Sequence, residues 1–172
     1  MRQALLSACL ALFGAAAQAG EIAVIVKTTN STFWQNVNKG AEAGMKEVRG
    51  HTMTFSGPAS ESAIADQVNL VENAVNRRVA GIVLAPSDPD ALVPAIKKAW
   101  EARIPVVLID SQVADSGKAY YQSFLTTDNR AAGELCAKEL IAKIGTTGKV
   151  AVMSYVAGSG SEVGRVGGFT AY

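Results

Sequence analysis

From Glu21 onward, short apolar runs rich in β-branched residues alternate with stretches whose apolar positions recur every three to four residues. This alternation is typical of βαβ units around a parallel sheet, and the near-continuous apolar runs favour strands that helices cover on both faces. The sequence therefore predicts an α/β fold, a parallel sheet in a three-layer α-β-α arrangement. The predicted strands are Ile22–Val26, Thr52–Phe55, Ala80–Ala85, Pro105–Asp110, Tyr120–Thr126 and Lys149–Tyr155.

The stretches between the strands predict amphipathic helices. The third helix is predicted to have Asp88 as its N-cap and Pro89 in its first position, but Pro94 either kinks this helix or delays its start. The fourth is predicted to begin at Asp128 or Asn129 and to end at Gly145. The expected buried faces are Phe33, Val37, Ala41, Met45 and Val48 in the first helix, Ile64, Val68, Val71 and Val75 in the second, and Leu135, Leu140 and Ile144 in the fourth.

Loops that follow the strands are the candidates for ligand binding, because open α/β sheets bind ligands at their carboxyl edge. The first such loop, 27–32, has no glycine but carries hydroxyl and amide groups, including Asn30 and Ser31. Phe33 and Trp34 follow at the start of a helix, where neighbouring side chains point about 100° apart and cannot both face the core. One ring is therefore expected to face a ligand such as a sugar; the alternative is that both pack against the sheet and a neighbouring loop.

A carboxylate ends the fourth predicted strand. Asp110 can accept two charge-assisted hydrogen bonds from adjacent hydroxyls of a ligand, and Ser111 and Gln112 extend this polar group. The alternative is that Asp110 only caps a turn. Thr127–Asn129 is interpreted chiefly as a helix cap. Arg165 lies just inside a helix near the end of the chain, where it either reaches a ligand or faces solvent.

The residue patterns of catalysis and cofactor binding are largely missing. His51 is the only histidine, and it lies on the far side of the first helix from the candidate loops, so no serine or cysteine has an imidazole partner. No group of histidines, cysteines and carboxylates has metal-ligand spacing. The run Gly158–Gly164 matches a dinucleotide-binding motif only weakly. We therefore expect a protein that is not an enzyme and that has no metal and no cofactor.

The first 19 residues indicate a secretory signal peptide. Arg2 gives a basic start, Ala4–Ala17 is apolar, and Ala17-Gln18-Ala19 fits a cleavage site. The apolar run is shorter than the roughly 20 residues that a membrane-spanning helix needs. Leu6–Cys9 resembles a lipoprotein processing site, but it comes too early to follow an apolar segment of ordinary length.

Charge and cysteine content describe the chain that remains after export. Acidic and basic residues then balance, and no run of like charges is present to attract nucleic acid or an anionic membrane. Cys136 is then the lone cysteine, so no disulfide can form within the chain. Because Cys136 lies in the apolar register of the fourth helix, we expect a buried and inert thiol.

Taken together, these segments resemble the type I periplasmic binding proteins of the ribose-binding group. The resemblance runs from Ile22 to the end of the chain. It implies a periplasmic receptor of two lobes that binds a monosaccharide or polyol between them and delivers it to an ABC permease in the inner membrane. It rests on Thr29–Trp34, Ala80–Pro86 with Asp88 and Asp90, Ile104–Asp110, Thr127–Asn129 with Gly133, and Arg165 before Gly168-Phe169.

The resemblance also implies domains and site residues. Residues 20–126 correspond to the N-terminal sugar-binding lobe and 127–172 to the incomplete start of a second lobe, and the full-length protein is expected to be a monomer. Ribose binders have a small hydroxyl residue, an asparagine and an arginine where this chain has Lys27, Ala85 and Val163, which argues against ribose itself. The implied roles are stacking on the sugar by Phe33 and Trp34, hydroxyl binding by Asp110, and assistance from Asn30 and Ser31, to which the residue patterns add Ser111 and Arg165.

Three other functions are alternatives to transport. A receptor that serves a chemoreceptor or a sensor kinase has the same ligand site, so this alternative stays open. A regulator of the lactose-repressor class needs a DNA-binding headpiece, and none precedes Ile22 in this sequence. An NAD-dependent enzyme is the third, and it rests only on the weak glycine motif.

Overall fold

In the computed structural model, which describes residues 20–172, five parallel strands form one sheet in the order β2-β1-β3-β4-β5. The direction of winding reverses between β1 and β3, and crevices for ligands open at such a point, outside the carboxyl ends of the strands. The signal peptide predicted for residues 1–19 lies outside the described residues. The strands are β1 (Glu21–Ile25), β2 (Thr52–Ser56), β3 (Gly81–Leu84), β4 (Val106–Ile109) and β5 (Ser123–Leu125).

Helices cover both faces of the sheet, as a parallel sheet with apolar residues on both sides requires. On one face, Ile25 and Leu84 pack in a core with Val71 of α2 and Ile96 of α3. On the other face, Val24 and Val26 pack against α1. This confirms the predicted α/β fold with a parallel sheet between helical layers. The helices are α1 (Thr32–Met45), α2 (Ile64–Asn76), α3 (Val93–Glu101), α4 (Asn129–Ile144) and α5 (Gly160–Ala171), with a 3₁₀ turn at Asp115–Tyr120. None of the helices among residues 20–172 is both long and apolar enough to cross a membrane.

An ion pair lies at the amino edge of the sheet. Arg77, which caps α2, contacts the carboxylate of Glu21 in β1 at 2.7 Å, and Thr54 of β2 donates a hydrogen bond to the same carboxylate at 2.6 Å. These hydrogen bonds, from Arg77 first and then from Thr54, hold the pKa of Glu21 below its usual value. The pair therefore joins β1, β2 and α2 at the end of the sheet away from the candidate ligand loops.

The prediction of a strand at Lys149–Tyr155 is wrong. These residues form no strand in the structure, and the side chains of Met153 and Tyr155 are almost fully exposed. A strand is stable only beside another strand that completes its backbone hydrogen bonds, and within residues 20–172 this segment has no such neighbour. The fifth strand is also shorter than predicted: Tyr120 belongs to the 3₁₀ turn, and the strand itself begins only at Ser123 and ends at Leu125.

The third helix begins later than Asp88. The carboxylate of Asp88 accepts hydrogen bonds from the backbone of Asp90 at 2.9 Å and of Ala91 at 2.8 Å, and so it caps a separate turn. The helix itself begins at Val93, with Pro94 in its first turn, where the missing N–H removes no helical hydrogen bond. The predicted N-cap at Asp88 is therefore wrong. Of the two effects expected of Pro94, a kink or a later helix start, the structure shows the later start.

The fourth helix has the predicted ends but not the predicted buried face. Its N-cap Asp128 accepts a hydrogen bond from Ala131 at 2.9 Å, and its C-cap Gly145 has a positive φ of 82°. However, Cys136 is exposed, which corrects the expected buried thiol. The physical reason is that α4 meets α5 at its smallest residues: Gly133 and Ala137 are buried, and Leu140 on the same face is only half-buried. The exposed side chains include Leu135 and Ile144, which were expected in the core.

Candidate ligand-binding site

A buried glutamine fixes the carboxyl ends of the two central strands. The side-chain amide of Gln67, in α2, donates to the carbonyls of Val26 at 3.1 Å and Ala85 at 2.8 Å, and its oxygen accepts from the backbone of Ser87 at 2.7 Å. Each of these buried backbone groups would cost about 1–3 kcal/mol if it were left unpaired. Gln67 therefore holds the loops after β1 and β3 in place, including Lys27, which follows Val26 directly.

The two adjacent aromatic residues diverge, as predicted. Ser31 caps α1 by accepting a hydrogen bond from the backbone of Trp34 at 3.4 Å, which sets the helix start and the directions of the side chains that follow. Trp34 is 2% exposed and packs on the sheet, whereas Phe33 is 58% exposed. The rings meet edge to face, with centroids 4.8 Å apart and planes at 83°. Phe33 is thus the ring that faces outward.

Asp110 ends β4 in an unusual backbone conformation. Its φ is +64°, a value that is uncommon for a residue other than glycine and that clusters at functional sites. Two hydrogen bonds maintain this turn: the Asp110 amide donates to the carbonyl of Leu125 at 3.0 Å, and its carbonyl accepts from Thr126 Oγ1 at 2.6 Å. The carboxylate is therefore held at the carboxyl edge of the sheet by fixed backbone contacts.

The carboxylate of Asp110 is paired with a buried lysine. The Lys27 side chain is 3% exposed, and its Nζ lies 2.7 Å from Asp110 Oδ2 and donates to Ser111 Oγ at 2.8 Å. Ser111 Oγ in turn donates to Asp110 Oδ2 at 2.9 Å, and Ser161 Oγ lies 3.4 Å from the ammonium. A buried charge needs such partners, because the cost of removing it from water is otherwise several kcal/mol.

Lys27, Asp110 and Ser161 border one cavity of about 450 Å³ at the carboxyl edge, between the loops after β1, β2 and β4 and the start of α5. Trp34 and Asp110, which are far apart in the sequence, both line it. Of the predicted site residues, the cavity is lined by Ser31, Phe33, Trp34, Asp110 and Arg165.

Two predicted site residues lie beside the cavity instead of in its wall. Asn30 accepts a hydrogen bond from Thr28 Oγ1 at 2.9 Å and donates to the carbonyl of Ala59 at 3.1 Å, so it joins the loops after β1 and β2. Ser111 is 2% exposed and contacts Lys27 and Asp110 from behind. In this structure both residues support the groups that line the cavity.

Sequence reasoning did not include several cavity residues. The sequence marks Lys27 only as a difference from the ribose-binding proteins and not as a site residue. A lysine in a loop is ordinarily exposed, and its burial becomes visible only in the folded structure. Glu61 lies in the segment that follows β2, and loops after the strands are the candidates for ligand binding, so its place along the chain was the available signal. Glu162 and Tyr155 also line the cavity, although the sequence predicts a strand that ends at Tyr155.

The cavity wall combines aromatic rings, hydroxyls and charges of both signs. Aromatic faces suit the C–H face of a small ring, and fixed carboxylate and ammonium groups suit hydroxyls. Residues 20–172 contain no group of three or more histidine, cysteine and carboxylate side chains that could hold a metal ion. The rings, hydroxyls and charges of the cavity wall can recognise a polyhydroxylated molecule.

A parallel α/β sheet with such a cavity at its carboxyl edge defines a small-molecule binding domain. The model of the periplasmic binding protein domain family matches residues 22–172, and the chain belongs to that family. This confirms the resemblance drawn from the sequence. The D-allose-binding periplasmic protein of Escherichia coli (strain K12) is 34% identical over 166 residues, which cover 94% of this chain and 53% of that protein.

Solved structures agree with this assignment. An ABC transporter solute-binding protein from Agrobacterium vitis with bound D-fucose is 73% identical, with a TM-score of 0.88, over 89% of this chain and 53% of that chain. A periplasmic solute-binding protein of an ABC transporter from Actinobacillus succinogenes 130z with bound D-allose is 28% identical, with a TM-score of 0.77, over 88% of this chain and 54% of that chain. The chain thus spans about half the length of these relatives.

Proposed function

We propose that this chain is part of the periplasmic solute-binding component of an ABC importer, and that the protein binds a monosaccharide without converting it. Residues 20–126 form the N-terminal lobe, residues 127–172 begin a second lobe, and the sugar lies between the two. Residues 1–19 direct export to the periplasm. The whole protein is a monomer that delivers its sugar to a permease in the inner membrane. Support comes from the family match and from relatives whose names or structures identify monosaccharide ligands.

One observation carries this proposal: the aromatic pair and the Lys27–Asp110 pair converge on a single cavity. In the proposed complex, Phe33 and the edge of Trp34 contact the C–H face of the sugar ring. Asp110 accepts hydrogen bonds from two adjacent hydroxyls while Lys27, whose ammonium contacts Asp110 and Ser111, holds the carboxylate in place. Arg165 contacts the sugar from α5, and Asn30, Ser31 and Ser111 hold the loops and the charged pair in place.

The sugar we propose is a pyranose of the D-fucose or D-allose type. The reason is that the structure with 73% identity contains D-fucose, and a more distant one contains D-allose. Charges of both signs border the cavity, and among them the carboxylate of Asp110 is paired with Lys27.

A thermal-shift screen tests the proposal on a two-lobe protein that carries this chain as its N-terminal part. A ligand at 100 times its Kd adds about 2.7 kcal/mol of stability, so D-fucose or D-allose is expected to raise the Tm by roughly 5 °C or more. Amino acids and nucleotides serve as controls and are expected to leave the Tm unchanged. If these controls stabilise the protein and every carbohydrate fails, the proposed ligand class is wrong.

A further inference from the structure

The indole of Trp34 is held by a partner that the sequence did not reveal. Trp34 is buried among Val24, Val26 and Ala85, and its Nε1–H is the one polar group of a side chain that is 2% exposed. A buried indole N–H needs an acceptor. Glu61 supplies it, because Trp34 Nε1 donates to Glu61 Oε1 at 2.9 Å, and a charged acceptor makes such a bond stronger than a neutral one.

Glu61 is itself held by its loop, which connects β2 to α2. The backbone of Ala63, the N-cap of α2, donates to the carbonyl of Ser60 at 3.1 Å, which closes a turn around Glu61. On the amino-terminal side of Glu61, Asn30 donates a hydrogen bond to the carbonyl of Ala59 at 3.1 Å, which links this loop to the loop before α1. These contacts hold the backbone that carries Glu61 in place relative to the helix that carries Trp34.

From these contacts we propose that Glu61 is a positioning residue for ligand binding, which fixes the orientation of the Trp34 ring at the cavity before the sugar arrives. Glu61 and Trp34 both line the cavity, and Phe33 packs edge to face on Trp34, so the orientation of one ring determines the place of the other. A preformed aromatic surface lowers the cost of ordering side chains when a ligand binds. This inference rests on the proposed function.

The first test needs no sugar and uses the 172-residue chain. A Trp100→Phe background leaves Trp34 as the only tryptophan, since the sequence has two. We expect Glu61→Ala to speed solvent exchange of the indole N–H at least tenfold and to weaken the near-ultraviolet circular dichroism of the ring. Glu61→Gln keeps an acceptor oxygen and is expected to restore most of both signals. Glu101→Ala, which removes an exposed carboxylate of α3, is the matched control and is expected to change neither.

The second test measures D-fucose affinity by calorimetry on the two-lobe protein. Glu61→Ala is expected to weaken binding about tenfold, and Glu61→Gln to stay within about threefold of the wild-type Kd. An unchanged indole exchange rate in Glu61→Ala overturns the proposed contact. An altered exchange rate with unchanged sugar affinity overturns the positioning role. If the wild-type protein binds none of the sugars in the thermal-shift panel, the proposed function fails and the positioning role with it, while the exchange result still decides the contact.

Discussion

Replacing Asp110 with alanine is expected to abolish the stabilisation of the two-lobe protein by its sugar. Two charge-assisted hydrogen bonds to hydroxyls disappear with the carboxylate, and at about 1.5–3 kcal/mol each their loss weakens binding at least about 100-fold. The same change leaves the ammonium of Lys27 buried without its counter-charge. Removing one partner of a buried ion pair is strongly destabilising, so we also expect the free energy of unfolding to fall by about 2–3 kcal/mol. Calorimetric titration and urea unfolding measure the two effects.

A second pair of variants separates binding from folding at this position. Asn tolerates the positive φ of Asp110 better than Ala does, so Asp110→Asn keeps the turn and loses only the charge. The double variant Lys27→Met with Asp110→Asn removes both charges and is expected to recover most of the lost stability while sugar affinity stays low. Wild-type affinity in a folded Asp110→Ala protein contradicts the assigned role of the carboxylate.

A side chain at Gly168 is expected to disrupt the packing of α5 on α4. A Cβ there would lie well inside van der Waals contact with the backbone carbonyl of Arg130, and a Cβ at Gly133 would meet the carbonyl of Arg165 in the same way. Backbone atoms cannot move aside as a side chain does. We expect Gly168→Ala to lower the free energy of unfolding by about 2–3 kcal/mol, as overpacking does, when urea unfolding is followed by circular dichroism. Because Arg165 of α5 lines the cavity, sugar affinity should fall as well.

The neighbouring glycine provides the matched control. Gly167 lies in the same helix, and a Cβ added there would meet no atom within 4 Å. Alanine favours a helix over glycine by about 1 kcal/mol, so Gly167→Ala is expected to leave the protein as stable or slightly more stable. Equal losses for the two variants would contradict the close approach of α4 and α5.

The sheet was predictable from the sequence because its central strands, β1, β3 and β4, are largely buried. The apolar runs that become β1 and β3 stand out against the periodic helices beside them, and their order along the chain determines a parallel sheet. This topology places the ligand site at the carboxyl edge of the sheet, and it leads to the expectation that Trp34 and Asp110 lie near each other. The local sequence was enough for these two residues, because Trp34 lies at a recognisable helix start and Asp110 at a recognisable strand end.

Features that depend on distant partners were not predictable in the same way. The burial of Lys27 is a consequence of its contact with Asp110, 83 positions later in the sequence, and no local pattern indicates it. The exposure of Cys136 depends on how α4 meets α5, which it does at Gly133 and Ala137, and no local pattern in α4 indicates that contact. Lys149–Tyr155 has the composition of a strand, but strand formation requires a neighbour as well as a suitable sequence.

A crystal structure of the two-lobe protein with D-fucose tests the central claim most directly. We predict that one sugar molecule occupies the cavity, with its hydroxyls about 2.6–3.0 Å from the carboxylate of Asp110 and its ring against Phe33 and Trp34. A sugar bound elsewhere, or an Asp110 carboxylate that contacts only Lys27 and Ser111 while the sugar lies out of reach, would contradict it.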